Sequence, residues 1–262
     1  MHYTLTAGAP ESPVLLHAPH DSRTIPAEVR RRILLDDAGL TAELDRMTDA
    51  HTALIAERAA GRAAARPWVF ANRLSRLVVD PERFPDDREE MRAVGMGAVY
   101  TRTSSGERLR TDDADHEKSL LTSYFEPYAE AMADAVDARL AAAGRVVIID
   151  VHSYPTVRLP YELHTGPRPE VCLGTDARHT PPWLSAVAQQ ALSAFEIGLN
   201  SPFAGTYVPL RHYGTVPAVA ALMVEIRRDR YMREHGGPTH EGLGTLVQAL
   251  TALIDETSTA TW

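Results

Sequence analysis

Three apolar runs in this chain stop abruptly on a side chain that can bind a metal or carry a proton. Pro13-Val-Leu-Leu-His-Ala-Pro-His20-Asp-Ser and Arg145-Val-Val-Ile-Ile-Asp-Val-His152-Ser reach a histidine, and Val219-Ala-Ala-Leu-Met-Val-Glu225-Ile-Arg reaches a glutamate. Short runs of this kind predict buried strands, and the carboxyl ends of such strands are where α/β proteins keep their sites. Between them the apolar spacing changes to three and four residues. It predicts a helix from near Pro26, one over Thr41 to Arg62, and a long one over His116 to Ala143 with Leu121, Tyr124, Tyr128, Met132, Val136 and Leu140 on one face and Gly144 at its end. Further helices are expected over Pro182 to Ile197 and His240 to Ile254.

Extended runs are expected at Pro13 to Ala18, Trp68 to Ala71, Leu77 to Asp80, Val146 to Asp150, Glu170 to Gly174, Thr206 to Leu210 and Ala218 to Ile226. Two stretches break the pattern. Pro81 to Asp115 is rich in Pro, Gly, Asp and Arg, and a loop from His152 to about Pro169 holds Arg158 and His164; long loops inside a compact domain are usually functional. Strands alternating with helices imply an α/β fold in three layers, α/β/α, and with no linker or repeat the chain reads as one domain over residues 1–262.

Composition narrows the partners. Of 262 residues, 44% are hydrophobic, enough for a large core, and the net charge is −8 with no basic block, so no nucleic-acid or anionic-membrane partner is expected. A small-molecule partner is. Cys172 is the single cysteine and lies in a buried strand pattern, which excludes an internal disulfide and a thiolate zinc site. The first residues lack the basic start and apolar stretch of a signal peptide, and no segment is long enough to span a membrane, so the expected location is cytoplasmic.

His20, His152 and Glu225 together suit a metal ion with a general base beside it. Asp21 and Asp150 adjoin the histidines, but consecutive strand residues face opposite ways, so Asp150 is expected to orient the site. Met47-Thr-Asp49-Ala-His51 offers a further ligand, and on a helix two residues so spaced cannot both face the site. A carboxylate at Glu225, in a run that reads as buried, is costly unless paired or functional.

His20-Asp-Ser-Arg-Thr-Ile-Pro26, Thr48-Asp-Ala-His51, Ser75-Arg-Leu-Val-Val-Asp80, Asp150-Val-His-Ser153, Leu173-Gly-Thr175, Pro202-Phe-Ala-Gly-Thr-Tyr-Val208 and Val224-Glu-Ile-Arg-Arg-Asp-Arg-Tyr-Met232 occur in that order. With these motifs the chain resembles the N-formylglutamate amidohydrolase (N-formylglutamate deformylase) family from Val14 to Glu234. That family is similar in fold to the zinc carboxypeptidases. The resemblance implies a metal-dependent hydrolase on a mixed, mostly parallel sheet, acting on a linear amide, with Zn²⁺ as the expected ion.

By motif, the resemblance makes His20 and His152 metal ligands, Glu225 the general base and Asp49 the third ligand. Asp21 is the rival for that place, since Arg23 stands where zinc carboxypeptidases put a glutamate. Arg73, Arg76 and Arg83 are candidate donors to the oxyanion or the substrate. Arg211, beside Tyr213-Gly, matches a family arginine and is expected to clamp a substrate carboxylate with Tyr213 nearby, a surface salt bridge being the alternative. The substrate implied is an N-acyl amino acid, first N-formyl-L-glutamate, giving formate and L-glutamate as in histidine degradation. Another N-acyl amino acid, a small peptide, or an inactive ligand-binding relative are alternatives. Two departures bear on it: the family's Asp-x-Asn-Arg-Pro is Asp80-Pro-Glu-Arg83-Phe here, and its Pro-Tyr-His is Pro127-Tyr-Ala129. A serine hydrolase is disfavoured, since no Gly-x-Ser-x-Gly occurs and Ser153 suits a supporting role.

Overall fold

The computed structural model describes residues 2–163 and 165–261. The strands are β1 (Tyr3–Thr6), β2 (Val14–Ala18), β3 (Trp68–Asn72), β4 (Val146–Tyr154), β5 (Val171–Gly174), β6 (Ile197–Leu199) and β7 (Val219–Arg227), in one sheet of order β1-β3-β2-β4-β7-β5-β6. Pairing is antiparallel only between β1 and β3 and between β5 and β7, so the sheet is mixed and mostly parallel. The helices are α1 (Ala27–Arg30), α2 (Asp37–Met47), α3 (Thr52–Ala60), α4 (Ala114–Leu120), α5 (Glu126–Ala143), α6 (Pro182–Ala191) and α7 (Gly242–Thr259). None of the described helices is long and apolar enough to cross a membrane.

The central strands are buried on both faces, so their two side-chain sets belong to different layers. Val14, Leu16, Val147, Ile149, Val151, Leu222 and Val224 pack with Ile55 and Ala59 of α3, Leu184 of α6 and Leu250 and Leu253 of α7. The alternate set, Leu15, Val146, Ile148, Val219 and Ala221, packs under Tyr128, Met132 and Val136 of α5. Toward the carboxyl ends this second face turns polar, with His17 on β2, Asp150 and His152 on β4 and Glu225 on β7. The register sets His17 beside Asp150 and His152 beside Glu225. A one-residue slip of β4 would bury His152 in the other layer and expose Ile149. Burial of each large aliphatic side chain contributes about 1.5–3 kcal/mol, so the layers hold the register and the register holds the site.

Several elements differ from the pattern expected of the sequence. The helix over Thr41 to Arg62 is two helices, because Thr48 is extended and His51 is left-handed with φ of 70°. Leu77 to Asp80 is a turn and Thr206 to Leu210 is unpaired coil, while β1 and β6 carry too little apolar pattern to stand out. The Val146 strand runs on to Tyr154, so Asp150 and His152, two apart, share a face rather than opposing each other. The long helix contains a π-helical turn, Leu121–Phe125, just before Pro127, which has no N–H to give to the preceding turn. Helix α6 ends at Ala191, short of the expected Ile197. His164 lies outside the described residues.

Candidate active site

At the carboxyl ends of β2, β4 and β7 a cavity of about 700 Å³ opens, lined among others by His20, Asp49, Asp80, Glu82, Asp150, His152 and Glu225. His20 follows β2 directly, and His152 projects from β4. Asp49 comes from the break between α2 and α3. Its N–H donates to the His20 carbonyl at 3.0 Å, and the His51 N–H donates to Asp21 Oδ1 at 2.6 Å, so the turn is stapled to the loop after β2. The left-handed backbone at His51, unfavourable for a side chain with a Cβ, is held by these contacts.

The turn brings three donors face to face. His20 Nδ1 and His152 Nδ1 are 3.3 Å apart, His152 Nδ1 and Asp49 Oδ2 3.1 Å, and His20 Nδ1 and Asp49 Oδ2 3.6 Å. Ligands about 2.1 Å from a tetrahedral ion lie about 3.4 Å from one another, so the trio has the edges of such a site. All three residues are buried. His20 Nε2 donates to Asp80 Oδ1 at 2.9 Å, which turns the Nδ1 lone pair toward the trio. Two imidazole nitrogens facing each other in a buried site need a proton or a metal cation between them. The donor set therefore fits a divalent metal.

The surroundings are built to hold these groups charged. Asp80 also accepts from Arg76 Nη2 at 2.7 Å and the Tyr100 hydroxyl at 2.5 Å. Arg228 Nη2 donates to Asp49 Oδ1 at 3.2 Å, its Nε to Ser153 Oγ at 3.2 Å and its Nη1 to the Arg46 carbonyl at 2.7 Å. Burial opposes the charge on Asp49 and on Asp80, but the two histidines hold Asp49, and Arg76 with His20 holds Asp80, well below the usual carboxylate range. Against burial, Asp150 and Glu82 raise His152 well above the ordinary histidine value. Asp49, Asp80, Glu82, Asp150 and Glu225 line the cavity together with Arg76, Arg83 and Arg228.

Glu225 lies beside the trio. It is 8% exposed, its Oε2 is buried with no hydrogen-bond partner, and burial pushes its carboxyl up to about 7. That is the protonation range a general base needs near neutral pH.

The profile of the N-formylglutamate amidohydrolase family matches residues 12–232. The chain belongs to this family. Its members are hydrolases acting on C–N bonds. An N-formylglutamate amidohydrolase from Ralstonia eutropha JMP134 has a similar structure, with 21% identity, a TM-score of 0.78 and 98% of this chain covering 97% of that one. A gene product from Agrobacterium tumefaciens, at 19% identity, has a TM-score of 0.72 over 97% of this chain and 94% of that one. At these identities the likeness speaks for the fold. No curated protein matches the chain.

Within this N-formylglutamate amidohydrolase family fold, His20, Asp49, His152, Glu225, Arg76 and Arg83 all line one cavity. Asp21 does not join the trio; it is spent on the His51 N–H. Arg73 is exposed and outside the cavity, because it follows β3, where its N–H donates to the His2 carbonyl and its carbonyl accepts from Ser22. Arg211 lies at the rim with its guanidinium on Glu130, Asp134 and Asp137 of α5 at 2.5, 2.8 and 2.6 Å. That is the surface ion-pair alternative rather than a free clamp. Tyr213 lines the cavity and donates to Asp176 Oδ2 at 2.9 Å. Cys172 is buried with its thiol raised to about 11 by burial, which makes it inert at neutral pH.

Sequence reasoning passed over Arg228 and His17, and noted Glu82 only as a departure from the family motif that bears on the substrate. The signals were present: His17 is three residues before His20, Glu82 is the residue that departs from the motif after Asp80, and Arg228 stands three residues after Glu225. Replacing Arg228 by Met strands Asp49 Oδ1 without a cation in a buried site, which is expected to cost about 3–5 kcal/mol. Urea unfolding of the metal-free protein measures it, and a loss under 1 kcal/mol would mean the pair does not hold the turn.

Proposed function

We propose that this chain hydrolyses the amide of an N-acyl amino acid, N-formyl-L-glutamate first, to formate and L-glutamate, and that His20, Asp49 and His152 hold a Zn²⁺ ion. One observation carries the reading: two buried imidazole Nδ1 atoms and a carboxylate oxygen at tetrahedral spacing, beside a buried glutamate with an unpartnered oxygen. When bound, the ion supplies Lewis-acid polarisation of the amide carbonyl and acidifies water.

The chain's own residues do the rest. Glu225 Oε2 takes the proton of the attacking water and returns it to the leaving amine nitrogen, changing a poor leaving group into a neutral amine. Asp80 fixes the His20 ring and, through Arg76 and Tyr100, is itself fixed, so the site needs little rearrangement when charge develops. Arg83 lines the cavity and is 27% exposed, its Nε 3.6 Å from Asp80 Oδ2 without a hydrogen bond. We place a substrate oxygen against it, and leave Arg211 with its α5 carboxylates.

Formate release from N-formyl-L-glutamate, compared with release of the acyl group from N-acetyl- and N-succinyl-L-glutamate, tests the substrate. Dialysis against a chelator should abolish turnover and Zn²⁺ alone should restore it; turnover that survives removal of all metal would sink the proposal. Arg83→Ala is expected to lower kcat/KM by about 10- to 100-fold, the worth of a charged hydrogen bond. Arg211→Ala is expected to leave KM within about threefold, as for an exposed ion pair. The reverse order of effects would return the clamp to Arg211.

A further inference from the structure

Beyond the trio, on the far edge of the His152 ring, the cavity gathers a second set of ligand-type side chains. His17 Nδ1 is 2.9 Å from Asp150 Oδ1 and 3.5 Å from Glu82 Oε1. His152 Nε2 is 3.0 Å from Asp150 Oδ1 and 3.1 Å from Glu82 Oε2. These separations of 2.9 to 3.5 Å are those of ligands about 2.0–2.2 Å from one ion, and His17, Glu82 and Asp150 form one group of metal-ligand side chains.

Two observations favour a cation over a closed hydrogen-bond cluster. The His152 side chain is 4% exposed, yet its Nε2 makes no hydrogen bond, although two carboxylate oxygens stand at contact distance. With both oxygens in contact and no hydrogen bond formed, this nitrogen is left unmatched beside two anionic groups. Glu82 Oε1 is likewise buried without a donor. Among the described residues no arginine pairs with Glu82 or Asp150: Arg76 and Arg83 are directed at Asp80, and Arg228 at Asp49. Apart from the imidazoles, no cationic side chain among the described residues stands against these two neighbouring carboxylates, which repel each other.

We propose that His17, Glu82, Asp150 and the Nε2 edge of His152 form a second site for a divalent first-row transition-metal ion, so that the His152 ring bridges two ions. Two imidazoles with carboxylate oxygens suit Zn²⁺ or Mn²⁺. The bridging ring gives up its last N–H, and that proton leaves to solvent when the second ion binds. Glu82 supplies what the family motif lacks at this position, an anionic ligand in place of an amide. An ion on Glu82 also turns a carboxylate that would repel an acidic substrate into a neutralised one. The proposal rests on the metal reading above through His152.

The test is to load metal-free protein with Zn²⁺ alone at micromolar concentration, count ions by native mass spectrometry, and locate them by anomalous diffraction at the zinc edge. The expected result is two ions per chain about 6 Å apart, two metal–nitrogen bonds plus the width of the ring. Glu82→Asn is expected to keep the ion at His20, Asp49 and His152 and to weaken the second at least 100-fold; His17→Gln serves if Glu82→Asn does not fold. One ion, at the trio, overturns this inference and leaves the proposed function standing. No ion overturns both. Two ions retained in both variants, or a second ion seen only at millimolar Zn²⁺, also overturn it.

Discussion

Glu225→Gln is expected to lower kcat for N-formyl-L-glutamate by about 10³-fold while bound metal stays unchanged and the urea midpoint does not fall. Glutamine keeps the shape and removes the ability to take a proton. Because Glu225 Oε2 accepts no hydrogen bond, the substitution leaves no protein donor without its acceptor and removes a carboxylate whose charge burial opposes, so the loss falls on chemistry and not on folding. The pH profile has a definite sign. The base works ionised, and burial raises its carboxyl to about 7. In the wild type kcat/KM should therefore be full above that value and fall about tenfold per pH unit below it. The residual activity of Glu225→Gln should lack this acid limb. If the variant keeps more than a tenth of wild-type kcat, another group takes the proton, and Glu82 is the carboxylate to examine.

Asp49→Asn and Asp21→Asn should separate just as sharply. Losing the anionic oxygen at 3.1 Å from His152 Nδ1 would remove one of the three proposed protein ligands. Zn²⁺ affinity at the trio is expected to fall by about 10³-fold or more, beyond the 10- to 100-fold typical of a group that only supports a ligand. Asp21→Asn keeps an oxygen for the His51 N–H and should hold affinity within about tenfold. Isothermal titration with Zn²⁺ reads both. Equal losses would show that the turn, and not the Asp49 oxygen, sets affinity.

The layers and central strands were legible in the sequence because burial on both faces makes β2, β4 and β7 continuous apolar runs, and such runs can end only where the environment turns polar. His20, His152 and Glu225 are those endings. Asp49 was legible as a residue but not as a geometry. Thr41 to Arg62 has helical spacing throughout, and only contacts from distant residues, the His20 carbonyl and the Asp21 carboxylate, break it. Arg73 misled for the converse reason: an arginine-rich motif says nothing about which guanidinium faces inward, and the fold turns Arg76 and Arg83 in and Arg73 out. The ion pairs of Arg211 were not legible because its partners, one helical turn apart on α5, belong to another element.

The Thr48–His51 turn has a consequence for how metal and folding are linked. Its shape is imposed by the docked loop after β2, not by its own residues, which taken alone favour one uninterrupted helix with Asp49 turned elsewhere. Asp49 reaches the trio only once that docking is complete, and His152 arrives from 103 residues farther along the chain than Asp49. An ion therefore cannot nucleate this fold as zinc does in a finger peptide. A metal ion would enter a finished scaffold, and the metal-free protein should form the same sheet before any metal is added.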